Sequence, residues 1–305
     1  MSVLKGQNLR ILVQTSEDKA HVIAMATSCT VTLTNNTEDE STKDDEGLSS
    51  RPVATSKSWQ VSVESLSTVD AAAMLTAIKN HTPFTLVWDE TQAAQMNSAG
   101  IAAAFARKGQ AYLNDLTLTF NDRETTSKSL QFTGSGELSA LGTTYQEYEE
   151  PDAPVYAKGQ FTRLFLGSDN TANPSTVIAA ARQLSLHVSC TLEAVTTKDT
   201  TGDWQIQEVT GISYDISTSA LVRSGDTITS SVGAKSLSDL ETIYEAGTPV
   251  KFRIAAASGA NQRTAGTVLV SGSVVLSTLT INAANKQSAD YTAQLTGYGP
   301  YNVAA

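Results

Sequence analysis

The sequence is poor in aromatic and basic side chains and almost empty of cysteine. Phe, Trp and Tyr make up 6% of 305 residues, and Trp59, Trp88 and Trp204 are dispersed along the chain. Carbohydrate-binding surfaces usually expose clustered aromatics, and no such cluster is visible here. Lys and Arg number 21 against 31 Asp and Glu, for a formal net charge of −10. That balance argues against a nucleic-acid reader that holds phosphates with cations. Two cysteines, Cys29 and Cys190, are too few for a disulfide scaffold in so long a chain. No apolar run approaches the roughly 18 residues that span a bilayer. The opening "MSVLKGQNLRILVQTSEDK" lacks the apolar core of a signal peptide. The expectation is a chain that folds in a cytoplasm and does not insert into a membrane.

Nucleotide and nucleophile motifs are also missing. There is no phosphate-binding glycine loop, and "FTGSGEL" is not the G-x-S-x-G elbow. His21, His81 and His187 do not cluster with acids or cysteines. His187-x-x-Cys190 is the nearest thing to a metal pair, but its best match elsewhere is Ala26-x-x-Cys29. The acid-rich "EDESTKDDEG" lacks the ligand spacing of a calcium loop. No catalytic residue, metal site or cofactor is expected, and the acids read as parts of solvated loops.

What the chain does have is Ser and Thr alternating with Val, Leu and Ile, the pattern of half-buried strands. It also repeats itself. Lys5-Gly6-Gln7 and Arg10 match Lys158-Gly159-Gln160 and Arg163, 153 positions on. "SCTVTL" matches "SCTLEA" at a spacing of 161. "TKD" at Thr42 and "KSWQVS" match "TKD" at Thr197 and "ISYDIS" at 155. "HTPFTL" matches "GTPVKF" at 166, and "SLQFTGSG" matches "TAQLTGYG" at 163. The order is kept and the spacing changes where loops absorb it, which marks an internal duplication. The predicted units are residues 1–141 and 158–305. Residues 142–157, with two prolines and a cluster of acids, read as a linker.

Each unit reads as mainly β. In the first, strands are expected at "LRILV", "CTVTL", "SWQVSVESL", "FTLVW", "YLNDLTLTF" and "KSLQFTG". A polar loop is expected over residues 35–57, and another over 196–211. One helix is expected at "TVDAAAMLTAIKN", capped by Thr68 or Asp70, with Met74, Leu75 and Ile78 as its apolar stripe. Its counterpart "SLSDLETIYEAG" places Leu237, Leu240, Ile243 and Tyr244 on one face and stops at Gly247. Cys29 and Cys190 are predicted to occupy equivalent core positions in the two units, as are Trp59 and Tyr214.

This order of motifs resembles that of phage major tail tube proteins. The residues that carry the resemblance are Thr42, Lys43, Asp44, Gly47, Ser58, Trp59, Gly134 and Gly136. In the second unit they are Thr197, Lys198, Asp199, Gly202, Gly297 and Gly299, with Tyr214 in place of the tryptophan. The resemblance implies two tandem tail-tube-type β-barrel or sandwich domains, each with a flanking α-helix. It implies that each domain gives four strands to a continuous barrel, that six domains close a ring, and that the polar loops reach neighbouring domains or rings. Candidate assembly residues on those loops are Glu38, Asp39, Glu40, Lys43, Asp44, Asp45, Lys198, Asp199 and Asp203. The implied place is a virion tail, with the subunit made in the host bacterial cytoplasm. The implied partners are other copies of the chain, a tape-measure protein and double-stranded DNA passing through the lumen without specific binding, and tail terminator and baseplate proteins. Two domains per chain imply a trimeric ring of pseudo-six-fold symmetry. Other readings are an inner tube of a contractile tail or secretion apparatus, and a carbohydrate-binding or adhesin β-protein.

Overall fold

The structure, a computed structural model, describes residues 6–16, 19–23, 25–41, 50–66, 70–90, 106–141, 147–149, 158–170, 174, 176–197, 202–222, 234–258 and 264–304. The first half holds β1 (Leu9–Ser16), β2 (Lys19–Val22), β3 (Ala26–Asp39), β4 (Pro52–Ser65), α1 (Ala71–Lys79), β5 (Phe84–Glu90), β6 (Arg107–Asn121), β7 (Ser127–Ala140) and β8 (Glu147–Glu149). The second holds β9 (Thr162–Leu166), β10 (Thr176–Ile178), β11 (Ala181–Ala194), β12 (Gln207–Leu221), β13 (Ala234–Lys235), α2 (Leu237–Ala246), β14 (Val250–Ser258), β15 (Thr264–Asn282), β16 (Asp290–Gly297) and β17 (Asn302–Val303). The fold is mainly β. Among the described residues no helix is long and apolar enough to cross a membrane.

Eight long strands form one antiparallel row in the order β3-β4-β7-β6-β11-β12-β16-β15, four from each half. Period-two patterning explains them. In β4, Trp59, Val61 and Val63 are buried while Gln60, Ser62 and Glu64 are exposed. The N-terminal part of β6 stays paired with β7 and on its other edge pairs with β5, which pairs with β1 and then β2. In the second half β15 pairs in the same way with β14, then β9, then β10. The apolar faces of the long strands share one buried cluster with Ile11, Leu86 and the α1 stripe Met74, Leu75 and Ile78.

The two halves keep the same pairing register. Leu33 lies opposite Trp59, and Val188 opposite Tyr214. Leu86 lies opposite Gly109, and Phe252 opposite Gly272. The bulge between Leu113 and Asp115 recurs between Leu276 and Thr278. The turn residues Arg123 and Lys286 share a φ of 62°. Each pair is separated by the spacing its segment shows in sequence, 155 for the β3–β4 hairpin, 166 for β5 and 163 for β6 and β7.

One sequence match does not survive. The β3–β4 bulges at Ala26/Ser28 and Asn36/Thr37 recur at Ala181/Gln183 and Thr191/Leu192, all at 155. The register thus sets Cys29 against Leu184 as counterparts, and His187 against Thr32. The "SCT" identity at 161 is chance, and Cys29 and Cys190 are not equivalent. Both thiols are half-buried at the edge of the core and unpaired.

The polar loops are shorter than expected. Residues 35–39 and 52–57 are arms of the β3–β4 hairpin, and residues 207–211 belong to β12. Both faces of the hairpin arm are open to solvent, so no apolar alternation marks it. Residues 142–157 are not wholly a linker: β8 pairs in parallel with β2. Its place in the second half is taken by β13, parallel to β10. Helix α1 begins after Asp70, whose side chain makes no capping bond, and Thr68 lies outside the described residues. Helix α2 has a capping box between Ser236 and Asp239 and ends at Gly247 in the left-handed region, φ 59°. Leu240 and Ile243 are buried, but Tyr244 is exposed.

Candidate assembly surface

The face of the eight-stranded row turned away from the core is polar. Its alternate positions across residues 30–34, 60–64, 115–119, 129–133, 185–189, 213–219, 278–280 and 292–296 carry Thr, Ser, Gln, one His and three acids, Glu64, Asp115 and Asp215. None of them is Lys or Arg. Several of these groups satisfy one another. The Ser129 hydroxyl donates to Glu64 at 2.7 Å, Gln294 donates to the Ser217 hydroxyl at 3.0 Å, and the Ser189 and Ser213 hydroxyls share a bond of 2.9 Å.

The halves meet where β6 pairs with β11, from Asn121 opposite Gln183 to Asp115 opposite Ser189. Leu116, Leu118, Phe120, Leu184, Leu186 and Val188 are all buried there. On the polar side the His187 ring and the Asp115 carboxylate are bonded at 2.7 Å. The Cys190 thiol donates to the Leu113 carbonyl at 3.4 Å; burial, and after it the Asp115 charge, pushes its pKa up to about 11. Residues 202–207 lie across the first half. Lys57 N–H donates to the Asp203 carbonyl at 2.6 Å, Gln205 N–H to the Lys57 carbonyl at 3.0 Å, and Gly136 N–H to the Gln205 carbonyl at 2.8 Å. The Lys57 ammonium meets the Asp203 carboxylate at 3.0 Å. Helix α1 reaches the other way: the Tyr301 hydroxyl donates to the Leu75 carbonyl at 2.7 Å, and Lys79 to the Asn302 amide oxygen at 3.2 Å.

The glycines of the motif have a packing reason. The Trp59 ring lies on the backbone of Gly134, where any Cβ would overlap it, and its N–H donates to the Gly136 carbonyl at 3.2 Å. Gly136 has φ 83°, outside the comfortable range of other residues. In the second half a Cβ on Gly297 would come within 2.6 Å of the Tyr214 ring, and Gly299 has φ 71°. The Tyr214 hydroxyl donates to the Ser273 carbonyl at 2.6 Å. A Cβ on Gly109 would come within 2.6 Å of the Trp59 ring, and one on Gly272 within 2.9 Å of the Phe252 ring and 3.1 Å of the Tyr214 hydroxyl.

The structure separates the candidate residues. Asp203 sits at the contact between halves. Glu38 and Asp39 lie near the tip of the β3–β4 hairpin, opposite Val53 and Pro52, and Glu40 follows them. The Asp39 carboxylate accepts from the backbone N–H groups of Ser41 and Arg51, each at 3.0 Å, and from the Ser41 hydroxyl. These bonds, the hydroxyl first, hold its pKa below the usual value. Asp39 therefore ties the hairpin end together. Lys43, Asp44, Asp45, Lys198 and Asp199 lie outside the described residues. Sequence reasoning missed Lys57, Gly109, Gly272, Tyr301 and the Asp115–His187 pair. The two glycines share the 163 spacing of Gly134 and Gly297 and were findable by it. The pair joins different halves and leaves no periodic signal. Among the described residues no three His, Cys, Asp or Glu side chains converge as metal ligands.

No family model matches this sequence. No curated protein matches it. Among solved structures it is similar to a chain from the tail of an empty gene transfer agent particle, determined by helical refinement with C6 symmetry. The identity is 15%, over 49% of this chain and 99% of that one, with a TM-score of 0.36. It is also similar to a chain from the virion of a native gene transfer agent particle, at 16% identity, over 49% and 99%, with a TM-score of 0.34. Similarity at this level does not assign a function.

Proposed function

We propose that the chain is a structural virion protein, the major subunit of a phage tail tube, and that three copies close a ring whose stacks form the conduit for DNA. The observation that supports this most is the eight-stranded row: four strands from each half, continuous across the junction, with a polar face free of Lys and Arg. Three copies would supply 24 strands. At a spacing of ~4.8 Å their circumference is ~115 Å and the untilted backbone diameter ~37 Å, wider with tilt. That leaves room for a DNA duplex once side chains are added. The polar row would face the lumen, where each neutralised phosphate would add salt-dependent drag.

The tandem of two tube domains is part of this reading. Matching registers in the two halves support it, and so does the motif order that resembles tail tube proteins. Tape-measure, terminator and baseplate proteins would be the other partners. Loops bearing Lys43 and Lys198 would contact neighbouring rings.

Electron microscopy of the purified chain at high concentration tests the reading. Rings or tubes of three chains, with alternating interfaces when reconstructed without imposed symmetry, are expected. Six chains per ring would overturn the trimer, and monomers at all concentrations would overturn the tube.

A further inference from the structure

We propose that β3 of one chain pairs with the C-terminal part of β15 of a second copy, in the register that β11 keeps with β6 inside the chain. This rests on the tube reading and adds the residues that join the copies. In the β3–β4 hairpin the halves correspond at a spacing of 155, and in β6 and β15 at 163. Inside the chain Val188 pairs with Leu116 and Leu186 with Leu118. Carried over, Leu33 faces Leu279 of the second copy, Thr32 faces Thr280, and Val31 faces Ile281.

Burial marks the same edges. Leu33 is 60% exposed and Ile281 48%, whereas their counterparts Val188 and Leu118 are 1% and 0% exposed. Among the described residues β3 pairs only with β4. Residues 278–282 pair only with β16. Neither edge carries the Lys or Pro that commonly blocks edge pairing: residues 26–36 and 278–282 have none. Two open, uncharged edges, each with an exposed apolar side chain at Leu33 or Ile281, fit a heterologous contact that closes on itself.

A glycine supplies independent support. Gly159 is pressed against the β6–β7 turn. A Cβ there would overlap the Asn121 backbone, and its N–H donates to the Glu124 carbonyl at 2.9 Å. Its counterpart Gly6, 153 positions earlier, has nothing within 4 Å of a Cβ. Among the described residues nothing demands a glycine at position 6. A second copy would, because the turn that corresponds to 122–124 is 285–287, and paired in this register it lands on Gly6.

The edge pairing is tested in a Cys29→Ala/Cys190→Ala background carrying either Leu33→Cys with Leu279→Cys or Thr32→Cys with Thr280→Cys. Opposed positions alternate between hydrogen-bonded and non-bonded pairs, so one combination has the closer Cα spacing. Oxidation should give a disulfide-closed trimer on a non-reducing gel for at least one combination. Leu33→Cys with Ile281→Cys, two residues out of register, should give little. A preference for the shifted pair, or rings that cross-link at neither pair, would overturn the register while leaving the tube standing. Gly6→Val should keep the thermal midpoint of the monomer and abolish rings, whereas Gly159→Val should lower the midpoint. Rings that persist in Gly6→Val would overturn the contact. Wild-type chains that never leave the monomer would overturn the tube reading and this contact together.

Discussion

At the scale of the residue, the least comfortable side chain is Lys128. Its side chain is fully buried, its ammonium is 3.9 Å from the Asp70 carboxylate, and it finds no hydrogen-bond partner among the described residues. Burial lowers its pKa, and the Asp70 charge only partly restores it. A lysine lowered in this way binds its proton less tightly folded than unfolded. Its cost is therefore greatest below the folded pKa and disappears as pH rises towards the ordinary lysine value. Lys128→Met is expected to stabilise the chain by about 1–2 kcal/mol at neutral pH, because a methionine fills the site without desolvating a charge. Chemical denaturation from neutral to alkaline pH checks this. The advantage of the variant should shrink as pH rises, and a constant difference would remove the electrostatic account. Comparing the two proteins cancels the opposite drift from Cys190 and Tyr291. Both pKa values are raised mainly by burial, to about 11 and about 12.

The aromatic–glycine pairs make a second prediction at this scale. Gly134→Ala should cost about 2–3 kcal/mol by overpacking against Trp59. Adding Trp59→Leu should recover part of that, so the two changes should not add. Additive losses in thermal or denaturant unfolding would mean that the ring does not touch Gly134.

At the scale of the element, period-two alternation made most strands legible, because one face of each is buried. Trp59, Val61 and Val63 announced β4, and Met74, Leu75 and Ile78 announced α1. Glycine and capping chemistry gave the end of α2. Ser236→Ala should cost that helix about 1 kcal/mol, read from the unfolding midpoint, since it removes the hydroxyl that accepts from the Asp239 N–H. The hairpin arms 35–39 and 52–57 were read as loop because strands wetted on both faces look like loops. The pairing of β6 with β11 was not legible at all. Strand edges join through backbone groups, and backbone groups are the same in every sequence. Tyr244 misled because a tyrosine has a polar hydroxyl and can lie at the wet edge of an apolar stripe as readily as inside it. The "SCT" match failed because short Ser/Thr strands resemble one another by composition.

At the scale of the whole molecule, the polar row predicts weak contact with nucleic acid. Duplex DNA should not be retained by assembled protein at physiological salt, and tight retention would count against a lumen facing this row. Ser217→Lys, which would put three cations in each proposed ring of three chains, should create binding that falls steeply as salt rises. Filter binding across a salt series measures both.

The β6–β11 junction has a kinetic meaning. In the proposed ring of three chains, half of the six interfaces would lie within a chain, form during folding and need no encounter between molecules. Closing such a ring would immobilise three independent bodies instead of six, and each association step carries an entropic cost of at least several kcal/mol. Tethering would also fix the proportions of the two interface types, so no such ring could be built with like contacts adjacent. On that assembly, carrying both halves in one chain would lower the concentration at which rings nucleate, because closing a ring would need three molecules instead of six.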